Sequence, residues 1–302
     1  MTGRPGHPRP GRDIAGEDVA SNFSTVRFVW MRERLFIVLL LSALTAHGQN
    51  STPTYLGFDR NTYPGDVNLK TLRQTFSYAG YWLNNPPGET SNTWRGHRAA
   101  VESAGFGFLV LFNGRLYAEL KTVANAKRLG QSDALAAATS ARREGFRPGT
   151  VIFLDVEQGG RMLPEQKAYI FSWVDRVVAA GFRPGIYCSG MISPDSEKVV
   201  TAEDIRQSAG SRKIVYWAIN DACPPSPGCA FPQRPPNPAA SGVKFAEVWQ
   251  FAQSPRRRDV AAHCANYNPD GNCYQLGSTA AQGLHVDLST ATSADPSHGR
   301  LQ

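Results

Sequence analysis

The 302-residue chain is poor in the features that would send it to a membrane, to a nucleic acid or to a metal centre. Its strongest apolar run, residues 35–44, is too short to span a bilayer comfortably. The formal charge is +7, yet the only basic run is Arg256-Arg257-Arg258, and without a clustered basic stripe no nucleic-acid partner is implied. No Gly-rich phosphate fingerprint follows the first strand, which argues against a dinucleotide fold. Histidines number six, of which only His97 and His285 stand near candidate site residues, and no metal-ligand spacing joins them. No metal and no cofactor is therefore expected.

The five cysteines are spaced wrongly for zinc fingers. Cys223/Cys229 and Cys264/Cys273 each fall within one Pro-, Asn- or Gly-rich loop region, so local pairing is the expectation, with Cys188 left as a buried strand thiol. Sequence alone does not fix that connectivity.

Disulfides suit an exported protein, and the N-terminal region reads that way. Met31-Arg32-Glu33-Arg34 precedes the apolar run, and Ala46-His47-Gly48 fits a small-x-small cleavage site. Residues 31–48 are read as a secretory signal peptide; the competing reading is an uncleaved anchor. Residues 1–30, rich in Gly, Pro and Arg, are read as a non-structural extension, and residues 49–302 as one domain carrying a charge of about +5. A secreted or periplasmic monomer with no membrane span after cleavage is expected. Its mild basicity suits an anionic wall or glycan surface.

Within the domain one junction recurs. Ala104-Gly105-Phe106, Glu144-Gly145-Phe146-Arg147-Pro148-Gly149 and Ala180-Gly181-Phe182-Arg183-Pro184-Gly185 each end a helical pattern at glycine and lead into an apolar strand. The spacing of about 36–40 residues is that of a βαβ step. Eight strands are predicted, at 55–59, 78–83, 106–113, 151–157, 185–189, 214–219, 246–252 and 284–288. Helices are predicted at 123–144, at 165–180 with Ile170, Val174, Val177 and Val178 on one face, and at 202–208 capped by Thr201. Eight such units in one domain predict an α/β fold, a single (β/α)8 TIM-type barrel.

In such a barrel the functional residues sit at the C-terminal ends of the strands. The fourth strand, Val151-Ile152-Phe153-Leu154-Asp155-Val156-Glu157, is apolar until two carboxylates that point to one face, about 7 Å apart along the strand. Burying carboxylates is costly, and a carboxylate pair is what glycoside hydrolysis needs. Asp59 ends the first strand and Asp287 lies on the eighth, so four acids are expected to crowd one mouth and to raise one another's pKa. Asn113, Tyr187, Trp217 and Gln250 fall at the same end, as candidate substrate contacts. Each taken singly also reads as a core polar or aromatic residue. Asp59 also reads as a cap for the helix that follows it.

Gly57-Phe58-Asp59, Asp155-x-Glu157, Gly185-Ile186-Tyr187, Trp249-Gln250 and Val286-Asp287-Leu288, in this order, resemble a family of secreted bacterial glycoside-hydrolase-like domains of unknown function. That family is related to the family 25 muramidases, which are lysozyme-like. The resemblance spans residues 55–291 and implies the barrel fold and action on peptidoglycan or another amino-sugar polymer. It implies Glu157 as general acid. Asp155 would stabilise positive charge or orient the substrate's acetamido group, Asp59 and Asp287 would line the cleft, and Tyr187, Trp217 and Gln250 would hold sugar. Segment 81–94, with Asn84-Asn85-Pro86-Pro87-Gly88, fits the function-unknown family better than the muramidases. Two further readings stay open: a non-catalytic glycan-binding module on the same barrel, carried by Trp217, and a barrel hydrolase that uses a metal held by Asp and His.

Overall fold

The structure is a computed structural model that describes residues 52–193, 198–222, 234–253, 284 and 286–301. The signal-peptide segment, the four loop cysteines and His285 lie outside the described residues. Cys188 is a free, buried thiol, and burial pushes its pKa up to about 12.

Eight strands close into one barrel in sequence order: β1 (Tyr55–Asp59), β2 (Tyr78–Trp82), β3 (Gly107–Asn113), β4 (Val151–Asp155), β5 (Arg183–Ser189), β6 (Val215–Ile219), β7 (Val248–Ala252) and β8 (Asp287–Ala291). Between them run α1 (Asp66–Arg73), α2 (Arg98–Ser103), α3 (Tyr117–Leu120), α4 (Val123–Glu144), α5 (Pro164–Ala179) and α6 (Thr201–Ser208). This is the α/β, TIM-type barrel expected from the repeat. Gly105, Gly145 and Gly181 all have positive φ, between 85° and 91°, as helix-ending glycines do. α4 spans the predicted residues, stopped by Gly145 in the left-handed conformation. It packs against α5 through small side chains, and a Cβ on Gly130 would fall 2.4 Å from the Tyr169 carbonyl oxygen.

Three expectations need correction. The last strand runs antiparallel to both neighbours, whereas all other pairs are parallel. β8 accordingly begins, rather than ends, at the mouth, and its pairing with β1 sets Asp287 opposite Asp59. Between β6 and β7 the described residues hold a 3₁₀ turn, Pro238–Ser241. Thr201 is the first residue of α6, not its cap. Its hydroxyl accepts from Gly160 N–H (2.7 Å) and donates to Gly160 C=O (3.1 Å), so it secures the loop after β4 instead. On α5, Ile170, Val174 and Val177 are buried but Val178 is 56% exposed.

Inside the barrel, small residues make room for large ones. A Cβ on Gly57 would fall 2.0 Å from the Tyr78 ring, one on Gly80 2.5 Å from Asp59 Cβ, and one on Gly185 2.5 Å from the Phe153 ring. Beyond β8 the chain turns under the start of β3. Asp295 accepts from Phe108 N–H (2.8 Å) and Ser297 Oγ from Val110 N–H (2.8 Å). The Ser297 backbone joins Phe108 C=O to Val151 N–H, filling the gap left where β3 and β4 have not yet paired. Ser297 is fully buried. Ser297→Ala strands the Val110 N–H, and urea unfolding is expected to show a loss of about 1–3 kcal/mol.

Candidate active site

The pairings Asn113–Asp155, Asp155–Tyr187 and Tyr187–Trp217 set these residues in one row across β3 to β6. Residues paired across neighbouring strands share a face of the sheet. That face is the barrel interior, because two hydrogen bonds from it skip a strand. Tyr187 Oη on β5 donates to Gln250 Oε1 on β7 (2.7 Å), and Gln250 Nε2 donates to Asp59 on β1, 3.1 Å to Oδ1 and 3.4 Å to Oδ2. The same amide reaches Asp287 Oδ2 at 3.5 Å. Tyr187, Gln250, Asp59 and Asp155 are all buried.

Glu157 lies two residues past the end of β4, where 151–157 had been predicted as strand. Val156 N–H still bonds Tyr187 C=O (2.9 Å), so the alternation persists, and Glu157 stands at the solvent-facing rim above Asp155. All four carboxylates act electrostatically on the Tyr187 hydroxyl: Asp155, Glu157, Asp59 and Asp287. The structure thus brings together the four acids with Tyr187 and Gln250.

Crowding shows in the proton affinities. Burial raises the Asp59 carboxyl to about 7, against the lowering effect of the Gln250 bond and with help from the charge of Glu157. Asp155 is held well above the carboxylate range, first by burial, then by the charge of Glu157 and a hydrogen bond with it, and by Asp59. Glu157 is raised by burial and partly restored by its bond with Asp155. Asp155 and Glu157 therefore act as a coupled pair that retains a proton beyond the range of a free carboxyl.

Two candidate contacts take other positions. Trp217 is 1% exposed, its ring against Tyr187 (4.5 Å between centroids) and Phe153 (5.9 Å). It backs the Tyr187 ring and offers no open face to a sugar, which removes the support for a stacking platform at that residue. The Asn113 side-chain amide donates to Asn85 C=O (3.0 Å), while its backbone exchanges bonds with Asn84, so it braces the loop after β2 at the edge of the mouth. Asp59 caps no helix; α1 starts at Asp66 behind Gly65, whose φ is 84°.

Other residues escaped sequence reasoning. Tyr78 lies within the field of Asp59, and its buried hydroxyl has no partner among the described residues; nor does Ser289 Oγ, on the strand position paired with Gly57 and Gln250. An aromatic at the start of an apolar strand carries no sign that it points inward. Beside Glu157 a cavity of about 310 Å³ opens, walled by Gly159, Tyr187, Ser189, Met191, Ile192 and Gln253. Among the described residues, no group of three or more His, Cys, Asp or Glu side chains is arranged to hold a metal ion, and no helix is long and apolar enough to cross a membrane.

The pKa of Asp59 rises from 3.8 to about 7 on folding, so the folded state holds its proton more tightly. Its stabilising contribution is complete below about pH 4 and is lost as the pH rises through about 7. Urea unfolding across this interval is expected to show stability falling with pH. Asp59→Asn should flatten part of that slope, Asp155 keeping the remainder. An unchanged slope in the variant would contradict the raised pKa.

A family model described as the Rv2525c-like, glycoside hydrolase-like domain matches residues 73–234. Among solved structures, an uncharacterized protein of B. stearothermophilus is 20% identical, with a TM-score of 0.50 over 78% of this chain and 95% of that one. The Tat-secreted protein Rv2525c of Mycobacterium tuberculosis, solved with L-tartrate, is 14% identical, with a TM-score of 0.45 over 79% and 95%. The spore cortex lytic enzyme SleM of Clostridium perfringens is 18% identical, with a TM-score of 0.47 over 81% and 70%. No curated protein matches the chain.

Proposed function

Since the chain belongs to the Rv2525c-like, glycoside hydrolase-like domain family, we propose that it is an exported glycosidase cutting peptidoglycan or another amino-sugar polymer. The observation that carries this reading is the four-carboxylate mouth, in which Glu157 stands at the rim beside a cavity, Asp59 and Asp155 are buried, and the Gln250 amide joins Asp59 to Asp287. Export is supported by the signal-like segment at residues 31–48.

In this mechanism Glu157 gives its proton to the glycosidic oxygen as the bond from that oxygen to the anomeric carbon breaks. Asp155, hydrogen-bonded beneath it, helps the pair hold its proton beyond the range of a free carboxyl. Positive charge grows at the anomeric carbon and is met by Asp59 and Asp287, both held by the Gln250 amide. Water or the substrate's own acetamide closes on that carbon. The raised affinities of the pair place the alkaline limb of activity, where Glu157 loses its proton, above the range of an isolated carboxylate.

Reducing ends released from purified peptidoglycan and from chitin oligomers test the reading. Glu157→Gln is expected to lower the rate about 10²–10⁴-fold with polymer binding kept, the range of a general acid. Normal turnover by this variant would remove Glu157 from the acid role. No release by the wild type, with retained pull-down on the polymer, would make the domain a glycan-binding module.

A further inference from the structure

At the opposite end of the barrel, where β5, β6 and β7 begin, lies a second and larger cavity of about 620 Å³. Its wall is cationic. Arg183, Arg206, Arg212 and Lys213 line it, against Glu247 as the one acid.

The four cations differ in what they already do. Arg212 is spent, bound to Asp175 by Nε (2.7 Å) and Nη2 (2.9 Å) and stacked over Phe171. Arg183, Arg206 and Lys213 have no carboxylate within ion-pair distance among the described residues. Arg206 sits over the Phe245 ring, 4.0 Å from its centre, which holds its guanidinium at the wall. Phe245 in turn meets the Tyr216 ring edge-on, with 4.8 Å between centroids.

Tyr216 adds a polar group to this wall. It lines the cavity, and its hydroxyl makes no hydrogen bond among the described residues. Val178, the residue of the α5 stripe that fails to reach the core, lines the same cavity and is 56% exposed.

We propose that this groove binds a phosphorylated saccharide, with the phosphate held by Arg183, Arg206 and Lys213 and the sugar hydroxyls by Tyr216 and Glu247. Three unpaired cations match a doubly charged phosphate better than a single carboxylate, and guanidinium groups grip phosphate oxygens through paired N–H donors. The Tyr216 hydroxyl donates to the sugar, and the exposed Glu247 carboxylate accepts from its hydroxyls, a role with no use in binding a bare anion. The groove is far from the carboxylate mouth and does not depend on the domain's hydrolysing anything.

Isothermal titration of the full chain at low ionic strength tests the proposal, with glucose 6-phosphate, glucose and inorganic phosphate as probes. Saturable binding of the sugar phosphate is expected, at least about tenfold tighter than inorganic phosphate, with none for glucose. Arg206→Ala and the double variant Arg183→Ala/Lys213→Ala should each weaken it about tenfold or more, since each removes charge-assisted bonds. Tyr216→Phe, which keeps the ring and its packing, should weaken it several-fold, and Glu157→Gln should leave it unchanged. Absence of saturable binding, equal affinity for inorganic phosphate, or binding that survives Arg206→Ala but is lost in Glu157→Gln would each overturn it.

Discussion

The polarity of one buried amide sets the arrangement of the barrel mouth. Gln250 has one oxygen and one NH₂ to offer, and the Tyr187 hydroxyl donates to the oxygen. The NH₂ must then point the other way, toward Asp59 and Asp287. A donor shared by two carboxylates favours their charged forms, which partly opposes the burial that raises Asp59. Asp155 receives no such donor; its Oδ1 is buried without a partner among the described residues. The mouth is thereby divided into a side where a donor offsets part of the burial and a side without one. Two carboxyl populations with different environments are what acid chemistry at a single site requires.

That division depends on the direction of β8. Had the strand run parallel, the residues at the mouth would have been those at its C-terminal end, Thr290 and Ala291, with Asp287 at the floor. Reversal pairs Asp59 with Asp287 and brings both within reach of Gln250. The same reversal sends the chain out at the bottom of the barrel, where residues 295–297 occupy the free edge between β3 and β4. Mouth and floor are thus completed by one change of strand direction.

Strand identity was legible in the sequence because buried strands leave apolar runs. β1 and α4 match their predicted limits, and most other strands match within a few residues. Strand direction was not legible, since an apolar run reads alike in both orientations, and the glycine-helix-strand repeat that argued for parallel pairing stops after β5. The acids and Gln250 were found because charged and amide groups at the end of an apolar run are conspicuous. Trp217 was misjudged for the converse reason: a tryptophan suits both a sugar platform and a barrel core, and only the neighbouring Phe153 and Tyr187 rings decide between them. Thr201 had the chemistry of a cap, but a bond across 41 residues to Gly160 took precedence over the local one.

The two ends of the barrel carry opposite charge, and this bears on how the molecule meets a polymer. The mouth concentrates carboxylates that are kept partly protonated, so its field is weaker than four acids would suggest. The far end presents three cations that have no carboxylate within ion-pair distance among the described residues. A polymer carrying both neutral amino-sugar stretches and phosphate groups would be drawn to the basic end by long-range attraction, which salt screens, and to the mouth only by short-range contact. Binding and cutting would then respond differently to ionic strength. A sequence-wide charge balance conceals this asymmetry between the acids at the mouth and the cations lining the far groove.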